Sequence, residues 1–171
     1  MRTPHLRLFS LLSGLLLLLL LPAANIAAET PLTGSVSWIY DGDTLEVEGV
    51  GKVRLLGIDT PEKQASARDD FYQQWQIPPT RLRDIARQAT RFGINQTKCL
   101  SVNLIPGATR YDRHDRLLAY VYLPDGRLLN RLLLERGLAT VFRRYDFSMK
   151  EDFLKAEEFA RQQGLGLWEK P

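Results

Sequence analysis

Between Gly34 and Thr60 the chain carries three short apolar runs with almost no sequence between them. Val36, Trp38 and Tyr40 alternate, Leu45 and Val47 do the same, and Val53 to Ile58 is nearly continuous apolar sequence. A period of two over so few residues is the pattern of half-buried strands and leaves no length for a helix. Asp41-Gly42 and Gly49-Val50-Gly51 supply the tight turns between the runs. Residues 34–60 therefore predict a three-stranded meander, and the rest of the fold has to be built around it.

Residues 61–79 show no period and end at Pro78-Pro79, so they read as a polar loop. Thr80 is placed to cap a helix over 81–92, where Leu82, Ile85, Ala86, Ala89 and Phe92 share one face and Gly93 ends the pattern. Strand signals return at 97–105 and 117–123, the second followed by the turn sequence Pro124-Asp125-Gly126. Asn130 is placed to cap a short helix through Glu135, stopped by Gly137. Ser148 and Glu151 form a capping-box pattern ahead of a last helix that ends at Gly164. No internal repeat or interdomain linker interrupts this order. It predicts an α+β domain over residues 29–171, a five-stranded OB-fold β-barrel with three helices packed on it. A five-stranded sheet with helices on one face would produce the same periodicities.

Residues 1–28 follow a different logic. Arg2, His5 and Arg7 precede an apolar stretch that culminates in the seven leucines Leu15 to Leu21, and Pro22 and small residues close it. A basic start, an apolar middle and a small-residue exit are the pattern of an export signal cleaved after Ala28. The competing reading is a retained anchor, but Leu8 to Leu21 is short of the roughly 20 apolar residues that span a bilayer. The expectation is a protein secreted or periplasmic, and free of the membrane once the signal is removed. Without that segment 21 basic side chains face 20 acidic ones. Cys99 is the only cysteine, which excludes an intramolecular disulfide, and between Lys98 and the apolar Leu100 it reads as a small buried strand residue.

Net charge says little, but its layout says more. Residues 29–70 hold nine acids and four bases, residues 81–98 five bases and one acid, and residues 110–144 eight arginines and four acids. An acidic first part suits a cation, and arginine-rich later segments suit a phosphate backbone. Three clusters sharpen this. Asp41-Gly42-Asp43-Thr44 reads first as a hairpin turn. In Arg54-Leu55-Leu56-Gly57-Ile58-Asp59-Thr60-Pro61-Glu62, an arginine lies inside an apolar strand and two carboxylates follow its exit. Tyr111-Asp112-Arg113-His114-Asp115-Arg116 is a charged run directly before a strand. Each alone has a plain structural reading as a turn, a cap or a solvated face. Together they contain the groups for phosphodiester hydrolysis: carboxylates for a hard cation, guanidiniums for the charge on phosphoryl oxygens, and a further carboxylate to accept a proton.

These three segments, in this order, resemble the signature segments of the staphylococcal nuclease (thermonuclease) family. Gly137-Leu138-Ala139 and Gly164-Leu165-Gly166-Leu167-Trp168 are similar to its later landmarks. The resemblance runs from about residue 34 to 168. It implies a Ca²⁺-dependent, sugar-nonspecific endonuclease that takes DNA and RNA as substrates, acts as a monomer and cuts the P–O5′ bond to leave 3′-phosphates. By the same resemblance Asp43 and Asp59 would be calcium ligands, with Thr60 adding its backbone carbonyl. Arg54 and Arg116 would hold the scissile phosphate, and Glu62 would position or deprotonate the attacking water. Arg113 and His114 stand where the family's prototype has a Lys-Tyr pair, so they would contact substrate, as would Tyr145. Asp115 next to Arg116 is expected to weaken phosphate binding, and Arg143 replaces a second nucleotide-contacting tyrosine. The alternatives are a catalytically inactive OB-fold nucleic-acid-binding protein and a calcium-binding domain without a substrate. The presence of both arginines and Glu62 argues against each.

Overall fold

The meander closes on itself. A computed structural model describes residues 32–170, and the export signal expected at 1–28 lies outside them. Strands β1 (Leu32–Ile39), β2 (Thr44–Val47) and β3 (Gly51–Leu55) are joined antiparallel by the two predicted turns. The later strands β5 (Ser101–Tyr111) and β6 (Leu117–Tyr122) form an antiparallel pair. β5 returns to β1, and β6 lies parallel to β3, so the five strands make a closed barrel in the order β1-β2-β3-β6-β5. Closure decides between the two architectures that the periodicity allows. This is the OB-type barrel, in which each of the five strands is paired on both sides.

The apolar run Val53 to Ile58 does not stay one strand. Leu56 and Gly57 turn the chain, and Ile58–Asp59 forms a separate strand, β4, paired antiparallel with β7 (Thr140–Val141) outside the barrel. That detour sets Asp59 between Arg54 of β3 and Arg68 of the 61–79 segment.

The described residues hold four α-helices and a terminal 3-10 turn (Gly166–Trp168), one helix more than the three expected. The extra one, α1 (Asp69–Gln73), lies in the segment expected to be a loop without regular structure. Tyr72 is buried there, and Phe71, Tyr72 and Trp75 meet edge to face, with Trp75 set on Trp168. Arg161 lies over both tryptophan rings, and Asp69 is paired with Arg83 at 2.5 Å. An aromatic cluster rather than a sequence period fixes this segment, which is why periodicity does not reveal it.

Helix α2 (Pro79–Thr97) starts at Pro79 with Pro78 in the capping position and runs past Gly93, which packs against Ile39. Thr97 ends it, its hydroxyl donating to the Gly93 carbonyl at 2.8 Å. The strand expected from 97 therefore begins at Ser101. Cys99 falls in the connection at φ +60° and is exposed, not buried in a strand. Asn130 lies inside α3 (Leu129–Glu135) rather than at its cap. It is fully buried, accepts from Val121 N at 3.0 Å and donates to the carbonyls of Leu56 at 2.9 Å and Ala119 at 3.3 Å. Helix α4 (Lys150–Gln163) ends as expected at Gly164 in the left-handed conformation. Its start has no side-chain cap, because the Ser148 hydroxyl is engaged with Tyr120 Oη at 3.0 Å. The core lies inside the barrel and under α2, α3 and α4, with Leu45, Leu55, Leu104, Leu117, Leu133 and Phe153 among its fully buried side chains. No helix of the described residues is long and apolar enough to cross a membrane.

Candidate active site

The expected acids and arginines converge where β2, β3, β4 and β6 meet. Pairing of β2 with β3 sets Thr44 opposite Arg54, so Asp43, one residue earlier, stands beside the Arg54 side chain. The parallel pairing of β3 with β6 sets Arg54 beside Leu118, so Arg116 comes from the adjacent strand two residues upstream. Gly42 lets the Asp41–Thr44 turn sit this deep. A Cβ there would lie 2.6 Å from the Ala89 Cβ and 2.8 Å from the Thr60 side chain. Glycine is required at this turn by the close approach of α2 and Thr60.

Asp43 and Asp59 are each only 3% exposed. Arg54 bridges them, Nη1 donating to Asp43 Oδ1 at 2.5 Å and Nη2 to Asp59 Oδ1 at 2.8 Å. The Thr44 hydroxyl also donates to Asp43 Oδ1, at 3.1 Å, and the backbone N–H and hydroxyl of Thr60 donate to Oδ2 at 3.0 and 3.3 Å. Arg116 joins through Thr44, its Nη1 donating to the threonine hydroxyl at 3.2 Å. Asp112 holds Arg116 from behind, accepting from Nε at 2.9 Å with Nη2 at 2.7 Å. The carboxylate that engages Arg116 is therefore Asp112 and not the adjacent Asp115.

The electrostatics are those of crowded acids. Burial, then the Asp43 charge, then Glu62 push Asp41 up to about 6, although its Oδ1 accepts the Asp43 N–H at 3.0 Å. Burial and the Asp43 charge also raise Asp59, against the partial relief given by Arg68 and Arg54. Burial opposes the charge on Arg54, but Asp43 and Asp59 outweigh it and hold the guanidinium above its ordinary value. For Asp112 burial is outweighed in the other direction, by hydrogen bonds from Arg116 and the His114 backbone, and its carboxyl lies below the usual range. Glu62 is half-buried, close enough for its charge to reach Asp41.

The remaining expected contacts stand apart. Arg113 and His114 are exposed on the turn before β6, Arg113 Nε donating to His114 Nε2 at 3.0 Å. The turn itself is closed by Asp112 Oδ1, which accepts from the backbone N–H groups of His114 and Arg116. Tyr145 is 63% exposed, tilted against Phe142 and covered by the Arg144 guanidinium. Among the described residues no hydrogen bond, ion pair or ring contact joins Arg113, His114 or Tyr145 to the Asp43–Asp59 cluster. Arg143 has a structural partner, since it is paired with the buried Glu157, whose Oε1 also accepts Val141 N–H at 2.9 Å.

One residue at the site is missing from the sequence reading. Arg68, immediately before α1, pairs with Asp59 Oδ2 through Nη2. A lone arginine ahead of two aspartates, in a segment without a period, gives no signal of this. Its place follows only from the aromatic anchoring of α1.

The donor chemistry at the site fits a hard divalent cation: buried carboxylate oxygens that repel one another, with no sulfur or imidazole among them. As arranged, however, these oxygens are gathered around guanidiniums. Among the described residues no three acidic, histidine or cysteine side chains form a ready cation cage.

Comparison with known proteins follows the same residues. A family model described as staphylococcal nuclease homologue matches residues 52–170. Thermonuclease of Staphylococcus hyicus is 27% identical over 150 residues, which cover 85% of this chain and 81% of its own. An uncharacterised endonuclease of Escherichia coli O157:H7 is 31% identical over 144 residues, covering 79% of this chain and 76% of its own. An uncharacterised protein of Methanocaldococcus jannaschii is 32% identical over 149 residues, with 79% and 70% covered.

Proposed function

The chain belongs to the staphylococcal nuclease homologue family, and from that premise we propose that it is an exported, Ca²⁺-dependent endonuclease that hydrolyses DNA and RNA at the P–O5′ bond. The observation that carries this reading is the pair of guanidiniums, Arg54 and Arg116, delivered by adjacent parallel strands to a cluster of buried carboxylates. A structural ion-pair network would not need the second arginine, Arg116, held beside the cluster by Thr44 and Asp112. Names borne by relatives, a thermonuclease and an endonuclease, support the same reaction class.

Asp43 and Asp59 would hold the calcium, with the Thr60 carbonyl beside them. When bound, calcium supplies positive charge next to a phosphoryl oxygen and lowers the pKa of a nearby water. The chain supplies the rest. Arg54 and Arg116 present planar forks to the equatorial phosphoryl oxygens and oppose the charge that accumulates there in the transition state. Asp112 and Thr44 fix the Arg116 plane before substrate arrives, so little reorganisation is needed. Glu62, half-buried at the exit of β4, takes the proton of the attacking water. The leaving group is the 5′ oxygen, and the phosphate stays on the 3′ side. Arg113, His114 and Tyr145, all exposed, contact the nucleotide flanks by charge and stacking.

Digestion of single-stranded DNA with calcium and with EDTA tests this. Cleavage with calcium and none in chelator is expected, with 3′-phosphate ends by end-group analysis. An unchanged rate in EDTA removes the metal assignment. Retarded migration of DNA without cleavage in any divalent cation would favour the inactive binding domain instead.

A further inference from the structure

Asp59 is the one carboxylate of the site whose two oxygens face two different guanidiniums, and only one of these is the expected Arg54. The other, Arg68, differs from Arg54 in how it is held. The Arg54 side chain is 17% exposed and locked between Asp43 and Asp59, whereas that of Arg68 is 44% exposed and reaches inward from the surface. Its backbone is fixed by the anchoring of the segment that follows: Tyr72 buried, Trp75 against Trp168, and Asp69 on Arg83. An anchored main chain thus presents a guanidinium that is paired with Asp59 while nearly half its side chain stays open to solvent.

A cation that takes Asp59 needs lone pairs on it, and Oδ2 is where Arg68 sits. Asp59 gains its neutralising charge from Arg68 in one state and from the divalent ion in the other. We propose that Arg68 is a positioning residue for Asp59 that exchanges with the catalytic cation, holding the carboxylate in place when no metal is bound and setting the affinity with which one enters. The proposal rests on the calcium reading above. Its physical content is a competition: two positive groups for one buried oxygen, with the loser returned to solvent. Arg68 lies within the stretch matched by the family model but between the signature segments, so none of these segments assigns it a role.

Competition predicts a direction that structural damage does not. Removing a group that merely supports Asp59 would weaken calcium binding, and removing a competitor tightens it. The experiment is isothermal titration of CaCl₂ into calcium-free full chain, for wild type, Arg68→Gln, Arg68→Met and Arg68→Lys, with melting curves in EDTA to show that each is folded. Both neutral variants are expected to bind calcium on the order of tenfold tighter, with Arg68→Lys within about threefold of wild type. The control is Lys63→Gln, a cation of the same segment whose Nζ donates to the Tyr40 carbonyl at 2.8 Å instead of to a site carboxylate. It is expected to shift affinity by less than about twofold.

If wild type binds calcium and the neutral variants bind it equally or more weakly, exchange is wrong and the calcium reading stands. Tightening by Lys63→Gln as large as by Arg68→Gln would mean that bulk charge, not exchange at Asp59, is responsible, and would also overturn the proposal. If neither wild type nor any variant binds calcium, both readings fall. Binding by the neutral variants alone supports the exchange in its strongest form.

Discussion

At the scale of single residues, Arg54 and Arg116, the two arginines proposed to hold the phosphate, are not equivalent, and stability measurements should separate them. Arg54 neutralises two carboxylates that are each 3% exposed, so Arg54→Ala leaves buried charge uncompensated. In chelator that is expected to cost about 3 kcal/mol, because breaking a buried pair costs more than the pair contributes. Arg116 pairs with Asp112 where both side chains are partly solvated, and Arg116→Ala is expected to cost about 1 kcal/mol or less. Urea unfolding in EDTA reads both, and equal losses would contradict the network. Activity in calcium should fall by at least a hundredfold in each. Asp41 gives a second test. Folded, it holds its proton up to about pH 6, and unfolded only to the ordinary carboxylate range. Between those limits the folded state binds more protons, so its stability falls as pH rises through roughly 4 to 6 and stays lower above. Asp41→Asn keeps the Oδ1 acceptor for the Asp43 N–H and removes the charge. It is expected to melt higher than wild type in EDTA at pH 8 and to match it near pH 4.

At the scale of elements, the separation of the two arginines depends on how β3 and β6 are clipped together, and Asn130 is part of that clip. Its amide binds Leu56 at the end of β3 and both Ala119 and Val121 in β6, from inside α3. Asn130→Leu keeps the volume, strands these buried backbone groups and should cost about 3 kcal/mol by urea unfolding. A loss below about 1 kcal/mol would show that the strands hold their register without it. The strands themselves were legible because period two and turn residues are local properties. Asn130 looked like a helix cap because a sequence shows the residue type but not what lies opposite it. Ser148 failed as a cap for the same reason, its hydroxyl being drawn to Tyr120. The glycines after α3 and α4 show the converse. Gly137 reads in sequence as a helix stop and Gly166 only as part of a landmark, yet their backbones touch. A Cβ on Gly137 would lie 2.1 Å from the Leu165 carbonyl oxygen, and one on Gly166 would lie 2.5 Å from the Gly137 carbonyl oxygen. Asp43, Arg54 and Asp59 were legible together because the turns of the meander fix their spacing, whereas Arg116, ahead of β6, joins them in sequence only through its charged run and the family resemblance. Arg68 was not, because its position is set by aromatic packing across the molecule.

At the scale of the whole molecule, function lies in how charge is distributed and hardly at all in its total. Asp43 and Asp59 of the acidic first segment converge on Arg54 and Arg68. Among the arginines of 110–144, Arg143 is paired with Glu157 and Arg127 with Asp125, while Arg116 reaches the carboxylate cluster through Thr44 and Arg113 lies exposed on the turn before β6, so the proposed polyanion contact falls to these two. If Arg54 and Arg116 share the scissile phosphate and Arg113 takes a flanking one, two phosphates are neutralised and binding of single-stranded DNA should weaken with a log–log salt slope of about −1.4. Raising KCl from about 50 to 200 mM should then raise KM by about sevenfold at saturating calcium while kcat changes by less than about twofold, since the forks that act in the transition state are set within the protein. Arg113→Gln should lower that slope by roughly 0.7 and leave kcat in place. The same loss in kcat as in KM would move Arg113 from the flank of the substrate to the reacting phosphate, and a slope near zero would mean that the basic segments do not track the backbone.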